Sequence, residues 1–177
     1  MVTWGEQART RAITDDFTGL YNRRFLDDAM EERLAEAKSN GHPVSVVMVD
    51  LDHFGTLNNE YGQEVGDRVI LEVVPLFKNH FSEDDILARY GGDEFTFILP
   101  QTPGQEALES CTALVQEVKK IDLLSNMGGS IRSVTASMGI ASFPDHADSP
   151  AQVKERADQA LYRAKELGRD RAVLWTA

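Results

Sequence analysis

The sequence has one cysteine, few histidines and no long hydrophobic run, and each shortage excludes a class of protein. Cys111 cannot form a disulfide within the chain, which fits a reducing compartment, and its apolar neighbours at helical spacing predict burial. The four histidines are scattered and lack the spacing of zinc ligands. The longest apolar run, 44–49, is too short to span a bilayer, and no basic and apolar leader opens the chain, so we expect a cytoplasmic protein without membrane contact.

Positive charge is also scarce. Lys and Arg number 18 against 29 Asp and Glu, which gives the 177 residues a formal net charge of −11. A general nucleic-acid-binding protein needs a basic surface, so this balance argues against a nucleic-acid partner. A site for phosphate groups would have to use a few placed cations and metal. With 42% hydrophobic and 27% charged residues, the composition is that of one globular domain.

The most informative stretch is a pair of short apolar segments joined by glycines and acids. Segments 86–90 and 95–99 are rich in β-branched and aromatic residues, and they flank Gly-Gly-Asp-Glu at 91–94. This pattern predicts a tight hairpin in which the glycines supply positive φ. Asp93 and Glu94 then lie at its tip. Hard oxygen ligands of this kind suit Mg²⁺, and the substrate bound together with Mg²⁺ is usually a phosphate. For this motif alone, a solvated acidic hairpin is the alternative.

A second group of acids ends the apolar run 44–49, which has the character of a strand buried on both faces. Asp50 and Asp52 follow it directly and flank Leu51. Open α/β sheets bind ligands at the carboxyl ends of their strands, although every strand must also end in something polar. These acids are therefore a second candidate for the same site.

Hydrophobic periodicity predicts the order helix, strand, two helices, hairpin, helix, strand, helix, strand. Pro75 is expected to kink or end its helix, the last long strand to cover 131–143, and Ser149 to cap the last helix. The series indicates an α+β fold, an elaborated ferredoxin-like (split βαβ) arrangement with a central antiparallel sheet flanked by helices.

In that arrangement the first strand is central and neighbours the hairpin. Asp50 would then lie near Asp93 and Glu94, although these residues are far apart in the sequence. Residues 1–14 are polar and helix-prone and are interpreted as a linker helix, which leaves 15–177 as the domain.

Several blocks of the sequence resemble the GGDEF family, the bacterial diguanylate cyclases, over nearly the whole chain from Asp15 onward. The resemblance implies the fold of nucleotide cyclases and polymerase palms, and the condensation of two GTP molecules into cyclic di-GMP with release of pyrophosphate. The matching segments are 15–24 (DDFTGLYNRR), 49–54 (VDLDHF), the spaced residues Asn58, Gly62, Gly66 and Asp67, then 89–95 (RYGGDEF), 137–141 (SMGIA) and 157–165 (ADQALYRAK).

The resemblance assigns the metal ligands to Asp50, the Leu51 carbonyl and Asp93, with two Mg²⁺ or Mn²⁺ ions per active site. It makes Asp93 and Glu94 the catalytic carboxylates, Glu94 serving as base toward the 3′-hydroxyl.

The resemblance also assigns positions that bind GTP. Gly91 and Gly92 would let the backbone approach the phosphates, Lys165 and Arg169 would contact phosphate, and Asn58 and Asp67 would read guanine. Gln63 joins these substrate-binding positions, although the family usually has histidine there. Without the surrounding motifs, the cations could be an exposed helix-end pair, Asn58 a turn residue and Asp67 a helix N-terminal acid. Gly55 and Asn59 depart from the usual lysine and aspartate.

Each domain would hold one GTP, so the chemistry implies a homodimer, and the 1–14 segment resembles a linker to an upstream sensory domain. The family's product-inhibition arginine is absent from window 82–85, which predicts no inhibition through that surface. The alternative function is a catalytically silent GGDEF domain that binds GTP or a protein partner as a regulatory module.

Overall fold

The protein is described by a computed structural model covering Gly5 and residues 12–177, so most of the predicted linker lies outside the described residues. The order of elements agrees with the sequence prediction. In chain order they are α1 (Arg23–Asn40), β1 (Val44–Leu51), α2 (Phe54–Tyr61), α3 (Gln63–His80), β2 (Ile86–Arg89), β3 (Glu94–Pro100), α4 (Gly104–Val118), β4 (Ala136–Phe143), α5 (Pro150–Glu166) and β5 (Arg171–Leu174).

These strands form one sheet in the order β2-β3-β1-β4-β5. The pairs β2–β3, β3–β1 and β1–β4 are antiparallel, whereas β5 joins β4 in parallel at the edge. The first four strands reproduce the split βαβ arrangement, so the predicted α+β fold is confirmed, with one parallel strand added. The register of β1 and β3 pairs Asp50 with Glu94.

Helices cover both faces of the sheet, which explains the continuous apolar character of β1. Val47 and Val49 face the layer of α3 and α4, where Phe77 packs against Phe95 and Phe97. Val46 and Met48 face the opposite layer, which α1 and α5 cover. The central strand is therefore packed on both faces, and this packing holds the residues at its carboxyl end in place. Cys111 on α4 is fully buried, as expected, and none of the described helices is long and apolar enough to cross a bilayer.

Two predicted element boundaries were wrong, a helix end near Pro75 and the start of the last long strand at 131. Helix α3 continues through Pro75, because Val73, Val74 and Phe77 are buried on either side of it and hold both halves of the helix against the core, offsetting the lost backbone hydrogen bond. Strand β4 begins at Ala136 and not at 131. The predicted cap is present, since the Ser149 hydroxyl accepts the Gln152 N–H at 3.2 Å.

The contact between α5 and β4 depends on the absence of a side chain at Gly139. A Cβ at this position would lie 2.1 Å from the Leu161 nitrogen and 2.3 Å from the Ala157 oxygen, both backbone atoms of α5. We expect Gly139→Ala to lower the free energy of unfolding by about 3 kcal/mol in urea titrations, because neither helix nor strand can yield cheaply.

Gly55 provides the matched control, since a Cβ there would meet nothing within 4 Å and the residue lies within α2. Alanine at position 55 should stabilise the protein by about 1 kcal/mol through helix propensity. Equal effects of the two substitutions would contradict the close packing of α5 on β4.

Candidate active site

The end of β1 and the tip of the β2–β3 hairpin meet at two carboxylates. The Leu51 N–H donates to the Asp93 carbonyl at 3.1 Å, which holds the hairpin tip against β1. Burial, together with the neighbouring Asp50 carboxylate, raises the pKa of Asp93 to about 6. Acids from distant parts of the chain thus form one pair that favours either a proton or a cation.

A lysine from α5 supplies positive charge to this pair. The Lys165 ammonium donates to Asp50 Oδ2, while the other oxygen, Oδ1, is buried and has no hydrogen-bond partner within the described part of the chain. A buried carboxylate oxygen without a donor is suited to a metal ion.

Protein side chains alone do not form a complete metal site in the described part of the chain. No group of three His, Cys, Asp or Glu side chains that could hold a metal occurs among the described residues. The site offers the carboxylates of Asp50 and Asp93, and backbone, phosphate or water oxygens would have to complete the coordination, as is usual for Mg²⁺. The residues therefore fit a metal that binds together with a nucleotide.

The hairpin tip is shaped by Arg89 more than by glycine flexibility. Neither Gly91 nor Gly92 adopts a positive φ, so the predicted reason for these glycines was wrong. The Arg89 guanidinium instead donates to both glycine carbonyls, at 3.1 and 2.8 Å, and pairs with Asp15 at 3.3 Å. Sequence reasoning did not assign Arg89 or Asp15 to the site, although both belong to the matched motifs.

Glu94 is exposed and lies beside the half-buried pair of Asp50 and Asp93. It lines a cavity of about 250 Å³ together with Asp50, Asp158, Tyr162 and Lys165. Because Glu94 is itself exposed, its carboxylate can meet a group that arrives from outside the domain.

The predicted guanine-binding residues lie at the corner between α2 and α3. The side-chain oxygen of Asn58 is buried and has no partner among the residues described. Gly66 makes room for it, because a Cβ at Gly66 would lie 1.8 Å from that oxygen. Gln63 and Asp67 are one turn apart on α3, Gln63 exposed and Asp67 half-buried. Asn58 thus has an unused acceptor that a ligand could satisfy.

The predicted phosphate-binding cations flank the end of α5. Lys165 lies in its last turn, and Arg169 follows in a left-handed conformation with its N–H on the Ala164 carbonyl at 2.9 Å. Asp52 does not join Asp50 and Asp93. Asp52 is buried, with 8% of its surface exposed, and it accepts a hydrogen bond from the Asp170 N–H. The two acids that flank Leu51 therefore contact different parts of the structure.

Comparisons with known proteins agree with this fold. A family model described as "Diguanylate cyclase, GGDEF domain" matches residues 12–171. The response regulator PleD of Caulobacter vibrioides is 32% identical over 92% of this chain and 36% of its own length. The diguanylate cyclase DgcP of Pseudomonas aeruginosa is 36% identical over 94% of this chain and 24% of its own.

Among solved structures, the coiled coil and GGDEF domain of DgcB from Caulobacter crescentus, in complex with c-di-GMP, has a TM-score of 0.87. It is 32% identical to this chain and covers 96% of it and 88% of the DgcB chain. The structure defines the class of the protein as a palm-like α+β domain. It has one acid at the end of its central strand and a second on the adjacent hairpin. The chain belongs to the GGDEF family of diguanylate cyclases, and it spans well under half the length of the curated relatives PleD and DgcP.

The Asp50–Asp93 pair has a measurable effect on stability. The pKa of Asp93 in the folded protein, about 6, is above its ordinary value of 3.8. Between these two pH values the folded state therefore keeps a proton on Asp93 that the unfolded state has lost. The stability due to this group is complete below pH 4 and is lost as the pH rises through 6. We expect Asp93→Asn to stabilise the metal-free protein at pH 8 by about 1–2 kcal/mol, a figure reduced for solvent screening of a half-buried group.

Thermal melts in a chelating buffer at pH 5 and pH 8 measure this effect. The gain should be smaller at pH 5, and Mg²⁺ should raise the Tm of the wild type more than that of the variant. The control is Asp28→Asn, which removes one exposed charge from α1. An equal gain in the two variants would show that net charge, and not the carboxylate pair, is responsible.

Proposed function

We propose that this protein is an active diguanylate cyclase, which condenses two GTP molecules into cyclic di-GMP and releases pyrophosphate. The observation that carries the proposal is the carboxylate pair: Asp50 and Asp93 are adjacent, one oxygen of Asp50 is buried without a partner, and Glu94 borders the same cavity. Such a pair favours the binding of a cation, and a metal that is bound together with a triphosphate would supply it.

In this proposal Asp50, the Leu51 carbonyl and Asp93 hold Mg²⁺ or Mn²⁺, two ions per active site. The bound metal supplies charge stabilisation for the attacking and leaving oxygens of phosphoryl transfer. Glu94, on the exposed side, accepts the proton of the attacking 3′-hydroxyl.

The phosphate-binding residues act around this centre. Lys165 and Arg169 contact the phosphates, and Gly91 and Gly92 present no side chain to obstruct them. In the described state Lys165 pairs with Asp50, so its binding to phosphate requires it to exchange one anionic partner for another.

The guanine specificity rests on Asn58 and Asp67, with Gln63 one turn before Asp67. A carboxylate at 67 accepts from the N1–H and exocyclic amine of guanine, a donor pair that adenine does not present on that edge. The unsatisfied oxygen of Asn58 supports this assignment, since an amide can complement the remaining edge.

Because each domain binds one GTP, the active unit is a homodimer whose two hairpins face each other. An upstream sensory domain would control this pairing, and the coiled coil that accompanies the GGDEF domain of DgcB supports such an arrangement. GTP as substrate places the domain in the cytoplasm. A separate cavity of about 550 Å³ is lined by Arg33 and by four acids, Glu36, Glu83, Asp84 and Asp85. The excess of carboxylates would repel a cyclic dinucleotide, so product inhibition through this surface is not expected.

A catalytically silent domain that binds GTP or a protein partner is the second candidate. Gly55 favours it, since the position lies open on α2 where most family members carry a lysine side chain. Gln63 in place of the usual histidine favours it as well.

The decisive measurement is product formation. Concentrated protein with GTP and Mg²⁺ should yield cyclic di-GMP by chromatography, and activity per chain should rise with protein concentration because two copies must meet. Asp93→Ala and Glu94→Gln should reduce the rate by about 100-fold or more, whereas Asp28→Asn should not. Bound GTP without product at any concentration would favour the silent domain.

The pocket for Asn58 is testable through Gly66. We expect Gly66→Ala to weaken GTP binding by about tenfold, similar to Asn58→Ala, because the added methyl displaces the Asn58 side chain and its unused acceptor. Calorimetric titration with a non-hydrolysable GTP analogue measures this, with Gly55→Ala as the control. Unchanged affinity in Gly66→Ala would exclude Asn58 from the guanine site.

A further inference from the structure

Asp52 is a buried acid for which the proposed mechanism has no use. Its Oδ1 accepts from the Ser137 hydroxyl at 2.7 Å, and its Oδ2 accepts from the Thr135 hydroxyl at 2.8 Å and from the Asp170 N–H at 3.0 Å. A carboxylate with three donors is fully engaged, and bonds to an ionised acceptor are the stronger kind. Asp52 therefore joins β1 to two places at once, the entry of β4 and the turn before β5.

The turn before β5 has an unusual backbone. Arg169 and Asp170 are consecutive non-glycine residues with φ of 66° and 54°, in the left-handed region that such residues rarely adopt. The surrounding structure has to maintain this conformation. It does so through the Arg169 N–H on the Ala164 carbonyl, the Lys119–Asp170 ion pair at 3.1 Å and the Asp170 N–H on Asp52.

We propose that Asp52 is a positioning residue for phosphate binding, because its carboxylate fixes the turn that carries Arg169 next to Lys165. The inference rests on the proposed function, in which Arg169 contacts phosphate. Asp52 does not touch the substrate. It acts through the Asp170 backbone, and its removal frees the left-handed turn, so Arg169 must be ordered each time a nucleotide binds.

A purely structural role would use the same residue differently. If Asp52 only joins β1 to β4, its effect should run through Ser137 and should appear in stability alone. If it positions Arg169, its effect should disappear when Arg169 is absent. A double-mutant cycle on nucleotide affinity distinguishes these cases.

The experiment measures the Kd of a non-hydrolysable GTP analogue with Mg²⁺ for the wild type, Asp52→Ala, Arg169→Ala and the double variant. Asp52→Ala and Arg169→Ala should each weaken binding by about tenfold, the effect of one charge-assisted contact. The double variant should bind within about twofold of Arg169→Ala alone. Asp52→Asn, which keeps the volume and one acceptor oxygen, should bind more tightly than Asp52→Ala.

Ser137→Ala is the matched control, since it removes one donor to Asp52 and leaves the Asp170 bond in place. It should lower the Tm without changing the Kd. If alanine at position 52 prevents folding, the same cycle is measured with Asp52→Asn. This variant should lose less affinity than Asp52→Ala, and the loss should again disappear when Arg169 is also replaced by alanine.

The failures are distinguishable. No binding of the analogue by the wild type would overturn the proposed function and this inference with it. If the wild type binds the analogue, three results would overturn this inference alone. The losses of affinity in Asp52→Ala and Arg169→Ala could multiply in the double variant. Alternatively, Arg169→Ala could lose no affinity, or Ser137→Ala could bind more weakly.

Discussion

The structure depends on the antiparallel pairing of β1 with β3, which places Asp50 opposite Glu94 and draws Asp93 against the end of β1. Two like charges at such a separation repel each other, and burial strengthens the repulsion. They remain together because the strands beneath them cannot move: the sheet is packed on both faces, and Phe95 and Phe97 are fully buried. The core thus maintains an arrangement of carboxylates that is locally unfavourable, and the proposed metal would relieve the repulsion between them.

The rest of the candidate site is held around this pair by charged side chains that each have a hydrogen-bond or ion-pair partner. Arg89 holds the glycine carbonyls and Asp15, Asp52 holds the entry to β4 and the Asp170 turn, and Lys119 pairs with Asp170. In contrast, one buried oxygen in each of Asp50, Asn58 and Asp170 has no hydrogen-bond partner within the described residues. Buried polar groups are usually satisfied, and the oxygens of Asp50 and Asn58 belong to the candidate site, so we expect ligand atoms at these two.

The sequence was sufficient for the order of elements and for the meeting of Asp50 with the hairpin, because periodicity defines the elements and the split βαβ rule orders the strands. It was insufficient where tertiary contacts decide. Pro75 lies inside a helix that the core holds together, and the hairpin glycines serve Arg89 and not a left-handed turn. Asp50 and Asp52 look equivalent in the sequence, and only the packing shows that one faces Lys165 and the other Asp170.

In the proposed function, the position of Lys165 would link the binding of metal to the binding of nucleotide. Its ammonium now neutralises Asp50, the same carboxylate that is assigned to the metal. A cation that arrives alone would have to compete with this lysine and would leave it without a partner. A cation that arrives with a triphosphate provides the lysine with new anionic oxygens, so the exchange preserves the number of paired charges. In a domain of net charge −11, where free cations are scarce, this exchange favours the loading of metal and nucleotide together over the loading of either alone.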